Sequence, residues 1–151
     1  MNVNPELSAS ENTCVSRVFS AGTYKMNDVY EFISEGLAAL CVTDMDTALL
    51  KMTADEIVSN IMNYAYEHEC KHKWVTLEIR LEDEAVVMTF IDGGRLFDPL
   101  TTPTPDVTQP ASERVEGGLG IYIVRSAMDD VSYSRDGARN ILTVRKKIER
   151  K

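Results

Sequence analysis

The chain has 151 residues, of which 44% are hydrophobic and 26% charged, and its formal net charge at pH 7 is −8. This composition is typical of a single globular domain, and the negative charge argues against nonspecific binding to a nucleic-acid backbone. No apolar segment is long enough to span a membrane, and the polar N-terminus lacks the apolar core of a signal peptide. The three cysteines show no paired spacing. We therefore expect a cytoplasmic protein without direct nucleic-acid or membrane contacts.

The N-terminal half of the sequence predicts one strand followed by two helices. Residues 1–12 are expected to form a flexible tail, and a single domain is placed at 13–148. A short strand is predicted at 14–19. Apolar residues then recur at helical spacing from Asn27, which is expected to cap the first helix. Repeats at three and four residues predict a second helix over about 47–67.

The C-terminal half combines strand patterns with a segment that has no regular pattern. Strands are predicted at 75–81 and 85–91, a helix at 120–128, and a hairpin whose Asp136-Gly137 turn joins strands at 131–135 and 140–145. The segment 99–116 is rich in proline and threonine and is typical of a lid. This order predicts an α+β two-layer sandwich, in which helices cover one face of a mixed, mostly antiparallel sheet.

The second predicted helix carries a carboxylate and an amide that suit phosphoryl chemistry. Glu56 and Asn60 are four residues apart, so they lie on one helical face beside the apolar stripe. Mg²⁺ prefers oxygen ligands such as the Asn60 amide oxygen, and a carboxylate one turn earlier could orient or deprotonate an attacking hydroxyl. Asn63 follows one turn later and could line the same pocket. The alternative is an ordinary polar face on a surface helix.

A second motif follows the apolar strand at 85–91. Asp92 can accept a hydrogen bond from an exocyclic amine, and Gly94 would let a flat base approach the backbone. A simple turn after a strand uses the same residue types. It would not explain the Phe97-Asp98-Pro99 that follows, an apolar anchor and a helix stopper that lead into the predicted lid.

A third motif, Gly117-Gly118-Leu119-Gly120, opens the predicted helix at 120–128. Backbone N–H groups at a glycine-rich helix N-terminus suit phosphate oxygens. Turns use the same glycine clusters, so this motif gains its weight from its place after the lid. The three motifs together predict a pocket for Mg²⁺ and ATP. The chain has no Walker-type loop, so it would hold the nucleotide in another geometry.

In this order the motifs resemble those of the GHKL superfamily, the ATP-binding domain shared by histidine kinases, gyrase, MutL-type mismatch proteins and heat-shock chaperones. More narrowly, residues 14–147 are similar to the stand-alone anti-sigma-factor serine/threonine kinases. The segment similar to the N box is Glu56-x-x-x-Asn60 with Asn63-Tyr64-Ala65-Tyr66, and the segment similar to the first glycine box is Asp92-x-Gly94-x-x-Phe97-Asp98-Pro99. The segment similar to the second glycine box is Gly117-Gly118-Leu119-Gly120-Ile121-x-x-Val124, and the later strand Asn140-Ile141-Leu142-Thr143 also suits the family. Leu96 departs from the pattern, because the wider superfamily often has glycine there.

The resemblance implies a role for each matched residue. Asn60 would ligate Mg²⁺, Glu56 would be the catalytic base or aligning group, and Asp92 would recognise the adenine amine. The other matched residues would line the nucleotide site, and they are Asn63, Gly94, Phe97, Gly117, Gly118, Leu119, Gly120 and, near the adenine through water, Thr143.

The resemblance also implies an activity and partners. Proteins of this branch use Mg-ATP to phosphorylate a serine on a small anti-anti-sigma (STAS-type) protein, and they sequester a sigma factor. We therefore expect an ATP-dependent protein serine kinase with these partners, acting as a homodimer. The alternative is a nucleotide-responsive protein-binding module without phosphotransfer, in which ATP orders the lid. The presence of Glu56 favours the kinase.

Overall fold

A five-stranded antiparallel sheet organises the domain. The computed structural model describes residues 14–67, 69–101 and 118–150, so the predicted tail and most of the predicted lid lie outside the described residues. The strands are β1 (Cys14–Ser20), β2 (Trp74–Glu82), β3 (Ala85–Asp92), β4 (Asp130–Asp136) and β5 (Arg139–Lys147). Their order in the sheet is β1-β2-β3-β5-β4, and all four neighbouring pairs are antiparallel.

Within the described residues, three α-helices accompany the sheet. They are α1 (Met26–Ala38), α2 (Asp44–Asn60) and α3 (Gly118–Ala127). α2 continues directly into one turn of π-helix at Ile61–Ala65, and Pro99–Thr101 forms a short 3-10 turn where the sequence predicted no regular structure. The predicted α+β sandwich is confirmed.

The helices begin at other residues than predicted. α1 begins at Met26, because the backbone N–H of Lys25 donates to Asp28 Oδ2 at 2.7 Å and satisfies one end group. α2 begins at Asp44, where the Thr43 hydroxyl accepts a hydrogen bond from the Asp46 backbone N–H. α3 begins at Gly118, two residues before the predicted start.

The side chains between the sheet and the helices form one apolar core. Leu77 of β2 lies opposite Phe90 of β3, which in turn lies opposite Leu142 of β5, and all three are buried. The central strand β3 is buried on both faces, as its continuous apolar run predicts. None of the described helices combines the length and apolarity that a membrane crossing requires.

The same register brings two polar residues to the edge of this core. Asp92 at the end of β3 lies opposite Asn140 near the start of β5. Each is two residues from a buried apolar neighbour, Phe90 or Leu142, and alternate strand residues share a face. Both therefore point toward the helices, and each is only 3% exposed. The fold thus places an acid and an amide beside the apolar layer.

Candidate nucleotide-binding site

A cleft opens between α2, α3 and the ends of β3 and β5. Its lining residues are Ile57, Asn60, Ile61, Asp92, Phe97, Pro99, Ile121, Tyr133, Asn140 and Leu142. A mostly apolar cleft with a few convergent polar groups is typical of a small-molecule site. Three residues that the sequence predicted for the site, Asn60, Asp92 and Phe97, meet here.

The Asp92 carboxylate is the acidic group of this cleft. Its Oδ1 accepts hydrogen bonds from the Gly94 backbone N–H and from Asn140 Nδ2, each at 2.9 Å. Within the described ranges, no donor reaches Oδ2. Burial raises the pKa of this carboxyl, and the two hydrogen bonds and the positive charge of Arg135 oppose that rise. Asp92 can therefore offer one free oxygen to a ligand donor.

The sequence motifs did not assign Asn140, which holds this end of the cleft together. Its side chain bonds to Asp92, to the Arg95 carbonyl, to the Phe97 backbone N–H and to the side chains of Tyr133 and Arg135. The resemblance includes the strand Asn140-Ile141-Leu142-Thr143 but gives Asn140 no role. The alternation of Asn140 with the apolar Leu142 and Val144 would have shown that it faces the core.

The glycine motif after β3 fits tightly against the end of α2. A Cβ on Gly94 would lie 2.4 Å from the Ala65 carbonyl oxygen, and one on Gly93 would lie 2.8 Å from the Trp74 ring. The Tyr66 hydroxyl accepts a hydrogen bond from the Gly93 backbone N–H and donates one to the Trp74 carbonyl. In this structure the close approach that Gly94 permits is therefore to Ala65. Its contact with a base stays a prediction.

The other end of the cleft lies where α2 meets the start of α3. A Cβ on Gly120 would lie 2.4 Å from Glu56 Oε2 and 3.9 Å from Asn60 Nδ2. Glu56 and Asn60 are both partly exposed. The fold therefore brings the N box and the second glycine motif together. Among the described residues, the closest obstacle to a side chain at Gly120 is the tip of a flexible glutamate.

Along α2 these two ends are well separated. Ala65 contacts Gly94 beside Asp92, whereas Glu56 contacts Gly120. The nine residues from Glu56 to Ala65 correspond to roughly 13 Å at the rise of an ideal α-helix. Apolar residues, among them Ile57 and Ile61, line the cleft between the ends. A ligand that reached from Asp92 to Gly120 would meet an amine acceptor at one end and Glu56 and Asn60 at the other.

Among the described residues, Glu56, Gly94 and Gly120 lie beside the cleft lining, whereas Asn63 and Thr143 lie away from it. Asn63 lies in the π-helical turn and is exposed. A π-helix has more residues per turn than an α-helix, so the Asn63 side chain does not continue the face of Asn60. Thr143 lies opposite Thr89 and Ser132, on the sheet face that is turned away from Asn140 and Leu142. Gly117 lies outside the described residues, and Gly118 and Leu119 form the first turn of α3.

Comparison with known proteins agrees with this architecture. The histidine kinase-like ATPase domain family matches residues 19–146. The anti-sigma F factor of Bacillus subtilis (strain 168) is 30% identical over 100 residues, which are 66% of this chain and 68% of that protein. A serine-protein kinase RsbW of Bacillus mycoides (strain KBAB4) is 26% identical over 97 residues, 62% of this chain. The chain spans only 59% of that kinase's length.

A solved structure supports the fold independently of sequence. The crystal structure of the RsbU and RsbW domains of Rv1364c from Mycobacterium tuberculosis superposes with a TM-score of 0.62 at 14% sequence identity. The superposition covers 91% of this chain and 32% of that one. The matched family includes nearly every described element, from the end of β1 to the end of β5. The chain therefore belongs to the family of histidine kinase-like ATPase domains.

Proposed function

We propose that this chain is a cytoplasmic, ATP-dependent protein serine kinase that phosphorylates a small anti-anti-sigma protein of the STAS type. The proposal includes sequestration of a sigma factor and a homodimeric state. It is supported by relatives that are named anti-sigma F factor and serine-protein kinase. The observation that carries it is that Asn60 and Asp92 line one cleft, while Glu56 lies against Gly120 at the start of α3.

We call the part of the cleft around Asp92, Gly94 and Asn140 the base end, and the part around Glu56, Asn60 and Gly120 the phosphate end. At the base end, Asp92 would select the nucleotide. Its Oδ1 is held by two donors, so Oδ2 is left to accept a hydrogen bond from an adenine amine. Asp92 lines the cleft, so an adenine amine that entered the cleft could donate to this oxygen. Phe97 is half-buried against the apolar core and would contact the base from the loop after β3.

At the phosphate end, the donor set fits Mg²⁺. The Asn60 amide offers a hard oxygen and the Glu56 carboxylate stands one turn away, and Mg²⁺ in kinases takes few protein ligands and several phosphate and water oxygens. When bound, Mg²⁺ neutralises charge on the phosphates. The first turn of α3, which begins at Gly118, would offer backbone N–H groups to phosphate oxygens.

Glu56 would act on the acceptor. Its carboxylate would accept a hydrogen bond from the substrate serine hydroxyl, orient that oxygen for in-line attack and take up its proton. A new bond forms between the serine oxygen and the terminal phosphorus as the bond to the diphosphate leaving group breaks. The contribution of this chain is therefore orientation, proton acceptance and exclusion of water by the apolar cleft walls.

The test is transfer of labelled γ-phosphate from Mg-ATP to a panel of STAS-type proteins from the source organism. We expect label on a serine with the wild type and a loss of about 10²- to 10⁴-fold in rate with Glu56→Gln, at nearly unchanged ATP affinity. Glu35→Gln is the matched control, because Glu35 is an exposed glutamate on α1. It should transfer at the wild-type rate.

One result would contradict the kinase activity, and another would contradict the role of Glu56. If the wild type binds ATP but labels no protein, the nucleotide-responsive binding module replaces it. If Glu56→Gln transfers as fast as Glu35→Gln, Glu56 is not the acceptor-orienting group. Co-purification with each sigma factor of the organism, with and without ATP, and sedimentation of the free protein test the sequestration and the homodimer.

A further inference from the structure

We propose that Asn140 is a positioning residue of the base end and sets the preference of this cleft for a base with an exocyclic amine. It fixes the Asp92 carboxylate so that Oδ1 is occupied and Oδ2 is left for the ligand. This inference rests on the proposed function, since it presumes a nucleotide in the cleft. Neither the sequence motifs nor the resemblance assigns Asn140 a role.

The hydrogen bonds of the Asn140 amide use its full donor capacity. Nδ2 has two hydrogens, and it donates to Asp92 Oδ1 at 2.9 Å and to the Arg95 carbonyl at 2.7 Å. Oδ1 accepts from Tyr133 Oη at 2.5 Å and from Arg135 Nη1 at 3.0 Å. The side chain is 3% exposed, so these bonds are shielded from water.

The chemistry of the partners fixes which way the amide points. The Arg135 guanidinium and the Phe97 backbone N–H can only donate, so they require the amide oxygen. The Arg95 carbonyl can only accept, so it requires the amide nitrogen. A flipped amide would oppose like groups on both sides. The nitrogen must therefore face Asp92, which makes Asn140 a donor to that carboxylate.

This arrangement joins the base end to the hairpin of β4 and β5. Arg135 Nη1 also donates to the Gly94 carbonyl at 3.0 Å, so the same cation contacts both Asn140 and the loop after β3. Asp92 is 3% exposed and cannot turn freely while Gly94 and Asn140 hold Oδ1. The carboxylate is thus oriented before the ligand arrives, which reduces the entropy cost of binding.

The decisive experiment compares two ligands that differ only in the amine. Binding of Mg-ATP and of Mg-purine riboside triphosphate, which lacks the 6-amino group, is measured by titration calorimetry. The proteins are the wild type, Asn140→Asp and Asn140→Ala, each melted first to establish folding. Asn27→Asp is the matched control, because it makes the same chemical change at an exposed position of α1.

We expect the wild type and Asn27→Asp to favour ATP by about tenfold or more, the size of one hydrogen bond to a charged group. In Asn140→Asp the three donors to Oδ1 are kept, but a second carboxylate faces Asp92. ATP affinity should then fall about 10- to 100-fold while the amine-free analogue changes less than about threefold, so the preference is lost. Asn140→Ala should also lose the preference for ATP, with a smaller decrease in ATP affinity than Asn140→Asp.

Other outcomes overturn the proposal in distinguishable ways. An unchanged preference for ATP in either Asn140 variant shows that Asn140 does not orient Asp92. An equal fall for both ligands, or loss of the fold in both variants, shows that its role is structural. If the wild type binds ATP and the analogue equally, the 6-amino group makes no contact that contributes to affinity. A wild type that binds neither ligand overturns the proposed function, and this inference with it.

Discussion

The two ends of the cleft are built differently. At the base end, Asp92 and Asn140 are each 3% exposed and held by several hydrogen bonds, and Gly94 contacts the backbone of Ala65. At the phosphate end, Glu56 and Asn60 are partly exposed, and Gly120 is met by the tip of a side chain. Backbone cannot yield to an added atom at low cost, whereas a glutamate tip can.

This difference indicates which end is rigid and which can adapt. A pre-oriented, buried base end suits recognition of a fixed chemical group, because little is lost in ordering it on binding. A partly exposed phosphate end suits a step in which a protein acceptor must approach. The same kind of substitution at the two ends should therefore affect stability at one and activity at the other.

The largest effect on stability is expected for Gly94→Ala. Its Cβ would lie 2.4 Å from the Ala65 carbonyl oxygen and 2.8 Å from the carbonyl carbon, so the loop or the end of α2 must move. Such overpacking costs about 1–3 kcal/mol, and contact with backbone places this case near the upper value. Urea denaturation followed by circular dichroism measures it.

Gly36→Ala is the matched control for this prediction. A Cβ there would meet Val15 and Ile79 at 3.4 and 3.5 Å, which is ordinary contact, and alanine gains up to about 1 kcal/mol of helix propensity. Gly36→Ala should be as stable as the wild type or more so. A Gly94→Ala protein with the wild-type denaturation midpoint would show that the base end is not rigid.

A smaller effect on stability, of about 1 kcal/mol or less, is expected for Asp92→Asn, and it should depend on pH. Burial raises the pKa of Asp92 in the folded state, so the folded protein holds this proton more tightly than the unfolded chain. The contribution of this group to the free energy of unfolding therefore falls as pH rises from the unfolded value of about 3.9 through the folded pKa.

Asparagine has no such titration, and its amide oxygen can still accept from Gly94 and Asn140. Relative to the wild type, Asp92→Asn should gain stability across that pH window and keep the gain at neutral pH. ATP affinity should fall about 10- to 100-fold, because an acceptor becomes a donor. Paired denaturation curves from pH 4 to 8 measure the difference. If the difference in unfolding free energy between the two proteins stays constant with pH, burial of the Asp92 charge does not destabilise the folded state.

The smallest effect on stability is expected for Gly120→Ala. The close contact of the added Cβ with the described residues is with Glu56 Oε2 at 2.4 Å, and rotation of that side chain relieves it. The free energy of unfolding should change by less than about 1 kcal/mol, since alanine also favours the helix. Phosphotransfer should nevertheless fall about tenfold or more, because Glu56 is displaced from the acceptor. Transfer at the wild-type rate would place the active carboxylate elsewhere.

Local sequence predicted the elements and part of the cleft for identifiable reasons. Residues four apart lie on the same face of any α-helix, so Glu56 and Asn60 could be placed together before the fold was known. Asp92 follows an apolar run that only a buried strand explains. The π-helical turn at Ile61–Ala65 has no comparable local signal, and it is why Asn63 does not continue the face of Asn60.

The positions of Thr143 and Asn140 relative to the cleft could not be predicted from local sequence. Thr143 was assigned through the resemblance, but strand alternation turns it away from Leu142 and from the cleft. Asn140 acquires its neighbours only through pairing of β3 with β5, which brings it opposite Asp92 from a position 48 residues away in the chain. Register is a property of the assembled sheet, because it depends on which strands pair and where.

The sequence by itself determined the helices and strands, the class of the fold, and the residue types at the two ends of the cleft. Hydrophobic period and turn chemistry act within a few residues, so they can be read locally. Only the tertiary structure decided which groups are in contact. It places Gly94 against the backbone of Ala65, and it brings Asn140 to donate a hydrogen bond to Asp92. Those contacts join distant segments, and their geometry is fixed by packing and strand register rather than by neighbouring residues.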